Sequence, residues 1–135
     1  MTRREFETMV IGAIRALPPN IRRELKNVAF VVEDWPRAAV AHRHTRGGDL
    51  LLGLYEGVPK TVWGRDYSGR LPDKITIFQG SVEAAAGDPA RIPEVTRHTV
   101  WHEVGHYLGF GERRIRELER SWRRGGKPGA SKPKL

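Results

Sequence analysis

The segment His102-Glu103-Val104-Gly105-His106-Tyr107-Leu108-Gly109 constrains this chain more than any other part of it. Its pattern is helical: at ~100° per residue, His102 and His106 fall within about 40° of each other. Val100, Val104 and Leu108 fall on the opposite side, with Trp101 beside them. Such a helix has to pack on a core by one face and open to a cleft by the other. Gly105 lies on the histidine side and is expected to leave room there for a substrate or a neighbouring strand. Gly109 suits the end of the helix, where glycine enters the left-handed conformation without a Cβ penalty.

The same spacing carries chemistry. Side chains four apart on a helix have Cβ atoms ~5–6 Å apart. Two imidazoles leaning from His102 and His106 can therefore share one ion at ~2.0–2.1 Å from each nitrogen, and zinc suits such ligands. Glu103 is rotated off that axis and is placed to reach a metal-bound water, the general-base position of the H-E-x-x-H motif. A third ligand is needed. A chain that reverses at Gly109 brings Glu112 back toward the two histidines. Glu117 and Glu119 on the following helix are its rivals. With five His in 135 residues, H-E-x-x-H arises by composition alone about once in a hundred such chains. The bland alternative is two solvent-exposed histidines on an amphipathic helix.

Along the rest of the chain, Phe6, Met9, Val10, Ala13, Ile14 and Leu17 recur at helical spacing and predict a helix from about Arg3 to Ala16. Pro18-Pro19 stops it. A short helix is expected over Ile21–Lys26, and strands at Val28–Glu33, Leu50–Tyr55 and Lys74–Phe78. Residues 41–49 read as a loop and 60–73 as irregular. Further helices are expected from Ser81 to Ala86, Pro93 to Leu108 and Glu112 to Trp122. Helices, three strands, then helices again suggest an α+β domain over residues 1–122, a small sheet of about three strands packed on helices. Lys74–Phe78 just precedes the H-E-x-x-H helix. As an edge strand it would pair with an extended substrate; the alternative is a buried core strand.

The composition is 39% hydrophobic and 30% charged, with no Cys. That excludes disulfides, zinc ribbons and thiol catalysis. The net charge of +8 invites a nucleic-acid reading, but five of those charges fall in residues 123–135, a Gly- and Pro-rich stretch expected to be disordered. That basic tail reads first as a solubilising disordered end, and the alternative is a contact for RNA, ribosomes or anionic lipid. Trp35, Trp63, Trp101 and Trp122 are scattered and form no stacking series. No apolar run approaches the ~20 residues that span a bilayer, so no membrane association is expected. Thr2-Arg3-Arg4 is followed at once by Glu5 and Glu7, which argues against a secretory signal and for a cytoplasmic location. Among the other candidates, His98 suggests a supporting or surface role, and His42 and His44 a solvated loop. Tyr55 suggests core or cleft wall, and Tyr107 lies away from the histidine face.

The motif and its surroundings resemble the minimal zincin-like metallopeptidases of small bacterial proteins. The resemblance runs in order through Val28–Glu33, Leu51-Leu52-Gly53-Leu54-Tyr55-Glu56-Gly57-Val58-Pro59, Leu71–Phe78 and Thr99-Val100-Trp101-His102-Glu103, over roughly residues 5–120. It implies a pared-down zincin fold, Zn2+ held by His102, His106 and Glu112, and Glu103 as catalytic base. The family pattern often has Asp where this chain has Glu112. A metzincin would have His there and a Met-turn downstream, whereas Met1 and Met9 both lie upstream. The expected activity is zinc-dependent hydrolysis of peptide bonds in a peptide or protein substrate. The alternatives are a zincin-fold metal-binding protein with weak or lost activity, and a basic RNA- or ribosome-associated module. Oligomeric state is left open.

Overall fold

The computed structural model describes residues 1–57 and 72–125. Helix α1 (Arg3–Arg15) opens with a reciprocal cap: the Thr2 hydroxyl accepts from the Glu5 amide, and the Glu5 carboxylate accepts from the Thr2 amide. Both groups would otherwise be orphaned at a helix start. Phe6, Val10 and Ala13 form its buried stripe, as the periodicity predicts. After Pro18 comes a single turn, α2 (Pro19–Arg22), shorter than expected and begun earlier, with proline at the first helical position.

Three strands follow: β1 (Val28–Glu33), β2 (Gly53–Glu56) and β3 (Asp73–Phe78). Their spatial order is β1-β3-β2, with β1 parallel and β2 antiparallel to β3. Lys74–Phe78, for which the sequence left a substrate-binding edge and a buried core strand open, is therefore the centre of the sheet. Ile75, Thr76, Ile77 and Phe78 are all buried, and neighbours hydrogen-bond to it on both sides. Burial of consecutive residues, which point to opposite faces, marks a strand covered on both faces. Among the described residues the edge beside the H-E-x-x-H helix belongs to β2.

Residues 41–49, expected as a loop, overlap α3 (Ala38–His44). The run Ala38-Ala39-Val40-Ala41 drives it, because alanine is the strongest helix former. The helix ends before Gly47, whose positive φ of 55° is open to glycine. Leu50–Leu52 belong to no strand, and β2 starts only at Gly53. The irregular stretch expected over 60–73 lies outside the described residues up to 71, as do Trp63 and the tail beyond 125.

Helix α4 (Gln79–Ala86) leads through a 3-10 turn at Pro89–Arg91 into α5 (Ile92–Tyr107), then α6 (Glu112–Gly125). Helix α6 extends three residues into the stretch expected as a disordered tail. Helix α5 is the centre of the molecule, packed against α1, α4, β2, β3 and α6. Val100, Val104, Leu108 and Trp101 are buried on it. Trp101 packs edge-on against Trp122 at 4.6 Å between ring centroids, and its indole N–H donates to the Ile115 carbonyl at 2.9 Å. Gly105 does not open a space for substrate. A Cβ there would stand 2.5 Å from Ile115 Cγ1, so the missing side chain is what lets α6 close against α5. The architecture is α+β, a three-stranded mixed sheet on helices.

Candidate metal centre

Helix α5 presents His102 and His106 on the face turned away from Val100 and Val104, with ring centroids 4.4 Å apart. The helix ends immediately afterwards. Gly109 adopts φ 86°, its N–H donates to the His106 carbonyl, and the Phe110 N–H donates to the Gly105 carbonyl. This pair of bonds is a Schellman closure, which satisfies the last carbonyls and reverses the chain. The reversal sets Glu112, first residue of α6, against both histidines. Its Oε1 lies 2.8 Å from His102 Nε2 and its Oε2 2.7 Å from His106 Nε2.

Glu103 approaches the same rings from their other edge. Its Oε2 is 2.9 Å from His102 Nδ1 and its Oε1 3.3 Å from His106 Nδ1. Both nitrogens of both imidazoles thus face a carboxylate, an arrangement that calls for protonated rings, since only the imidazolium donates from both nitrogens. The Glu103 hydrogen bond, opposed by burial and helped by Glu112, raises His102 to about 9. His106 is raised by the same partners. Glu103 is buried. Burial pushes its carboxyl up, but the hydrogen bonds and charges of the two imidazoles outweigh burial and hold it at about 2. Glu112 is lowered too: desolvation opposes, and the hydrogen bonds from His106 and His102 prevail.

The donor set fits zinc. His102, His106 and Glu112 each offer a ligand atom, and these atoms lie within 4.8 Å of one another. Two imidazoles and a carboxylate are a set that leaves a coordination position open in catalytic zinc sites. The rival carboxylates are turned elsewhere. Both Glu119 oxygens lie 2.9 Å from His98 Nδ1, and Glu117 pairs with Arg113 at 3.3 Å. His98 in turn stacks on His102, with centroids 6.1 Å apart. The Tyr55 hydroxyl donates to Asp73 at 2.6 Å, and the Tyr107 hydroxyl to the Lys26 carbonyl. Both tyrosines are thereby tied into the packing, as expected.

Sequence reasoning missed Gly53. A Cβ there would stand 2.9 Å from Thr99 Cγ2 and 3.0 Å from Glu103 Cγ, so only glycine lets β2 lie this close over the site. The one signal was its place inside the distinctive Leu51–Pro59 stretch. His44 and Asp49, read as loop, come to line a cavity with His98, His102 and Glu103. No local pattern announces that.

A glycine-ended helix carrying two imidazoles, a carboxylate returned to them by the turn, and a small mixed sheet beside them define a zinc-peptidase class of site. Residues 25–122 match the family model described as zincin-like metallopeptidase, and the chain belongs to that family. The family is one of zinc-dependent peptidases in general. No curated protein matches the chain. Among the described residues, no helix is long and apolar enough to cross a membrane.

Proposed function

We propose that this chain is a zinc-dependent peptidase in which His102, His106 and Glu112 hold the ion and Glu103 is the general base. The observation that supports it is the convergence of three ligand atoms, from His102, His106 and Glu112, within 4.8 Å, with buried Glu103 against the Nδ1 edges of the same two rings. Zinc, when bound, supplies a Lewis acid for the scissile carbonyl and lowers the pKa of water toward ~7.

The chain's own residues account for the rest. Glu112 faces the two Nε2 atoms, so an ion held with it would take those nitrogens, and the Nδ1–H groups would go on donating to Glu103. Burial raises the Glu103 carboxyl, and the hydrogen bonds from both rings lower it. Glu103 is thereby held as a carboxylate, the form that accepts a proton. Glu103 takes a proton from the water that attacks the carbonyl carbon. The C–N bond breaks, and Glu103 passes that proton to the departing amine. An extended peptide pairs with the outer edge of β2, which Gly53 holds against α5.

The test is Glu103→Gln, which keeps an oxygen for the imidazoles but cannot accept the proton. Elemental mass spectrometry should find about one zinc in both proteins. Cleavage of a mixed peptide library, followed by mass spectrometry, should fall ~10²–10⁴-fold in the variant. Undiminished cleavage by Glu103→Gln would remove Glu103 from its role.

A further inference from the structure

A cavity of about 260 Å³ opens beside the metal centre, between the α3–β2 connection and α5. It is below the ~300–1,000 Å³ typical of small-molecule sites, and a single long side chain suits it. Its floor is buried Gly53 and Thr99, next to His102 and Glu103. A side chain lodged there belongs to a residue beside the bond under attack. Leu50, Leu51 and Leu52 supply apolar wall, and at the mouth stands the exposed Asp49.

The polar groups of the cavity are nearly all engaged. The Thr45 hydroxyl donates to the Ala41 carbonyl and the Thr99 hydroxyl to the Val95 carbonyl. His98 is held by Glu119, and Glu103 by the two imidazoles. His44, also on the wall, offers a ring nitrogen and no anion. The Asp49 carboxylate makes no ion pair or side-chain hydrogen bond among the described residues. A carboxylate at the end of a leucine-lined slot complements an aliphatic stem with a cationic head. The chain carries +8 overall, so a basic substrate gains no long-range attraction, and any preference for it must arise from a local contact of this kind.

We propose that this cavity is a specificity pocket for a lysine or arginine side chain of the peptide substrate, its stem along Leu50–Leu52 and its head paired with Asp49. The proposal rests on the peptidase reading and names the substrate class of that site. It is tested without hydrolysis. Fluorescently labelled peptides, each with one central test residue (lysine, arginine, norleucine or glutamate) flanked on both sides by short runs of alanine, are titrated onto zinc-loaded Glu103→Gln protein and followed by anisotropy. Lysine and arginine should bind about fivefold tighter than norleucine at low salt, an exposed-pair magnitude. Adding Asp49→Asn, an exposed and nearly isosteric change, should erase that preference and leave norleucine binding as it was. Equal or tighter binding of norleucine, a preference that survives Asp49→Asn, or no binding of any peptide would overturn the proposal. A basic preference in the variant together with a wild type that cleaves nothing would instead defeat the peptidase reading alone.

Discussion

Glu112 and Glu119 stand seven residues apart on one helix, yet the structure gives them different partners. Glu112 reaches both imidazoles because Gly109 reverses the chain just before it. Glu119 lies two turns on, where α6 has run back along α5 as far as His98. Glu112→Ala should therefore lose most bound zinc, whereas Glu119→Ala should keep about one per chain; elemental mass spectrometry on the pair decides it. The reverse result would reassign the third ligand. At this scale the sequence is informative where the geometry is local. His102, His106, Glu103 and Gly109 are related by helical spacing and one turn, and all four could be read directly. The choice among Glu112, Glu117 and Glu119 was not, because it depends on how tightly α6 folds back. Asp49 was not either: some fifty residues separate it from the helix it faces.

At the scale of elements, two glycines set the distances that matter. Gly105 admits Ile115, and Gly53 admits Thr99 and Glu103. Gly105→Ala would drive a Cβ to 2.5 Å from Ile115 Cγ1, a contact that real side chains do not show. Overpacking of this kind costs about 1–3 kcal/mol, and here it also displaces the helix that carries Glu112. The expected outcome is a lowered Tm by calorimetry together with weakened zinc retention. A variant of unchanged Tm and zinc content would mean that α6 is free to shift. Gly105 also shows the limit of reading a helix by its faces. Its position beside the histidines was plain, but what fills the space comes from another element. Lys74–Phe78 makes the same point: alternation and branching identify a strand, while sheet order decides whether it is edge or centre. With β1 on one side and β2 on the other, β3 has no edge to offer. The alanine run of α3 was legible in principle and was outweighed by the polar, glycine-rich residues after it.

For the molecule as a whole, the closed ring of two imidazoles and two carboxylates links stability to pH. His102 is raised from 6.5 to about 9, so its stabilising share is full below 6.5 and is lost as pH rises through about 9. Glu103 is lowered from 4.5 to about 2, so its share is present above 4.5 and is lost as pH falls through about 2. Both act together between about 4.5 and 6.5. The chelator-treated protein should show its highest Tm in that window and a decline toward pH 9. A Tm that climbs from pH 6.5 to 9 without metal would contradict the charged ring. Zinc-loaded protein should behave oppositely, gaining over the metal-free form as pH rises, because the ion competes with protons for the same nitrogens.

The core owes nothing to the metal ligands. Trp101, Val100 and Val104 are buried from the opposite side of α5, against α1, the sheet and Trp122. With Glu103 and Glu112 bracing the imidazoles from both edges, the chain is expected to fold without an ion. On the proposed reading, activity is then set by the free zinc and acidity that the folded chain meets, and removing the ion should leave the fold intact.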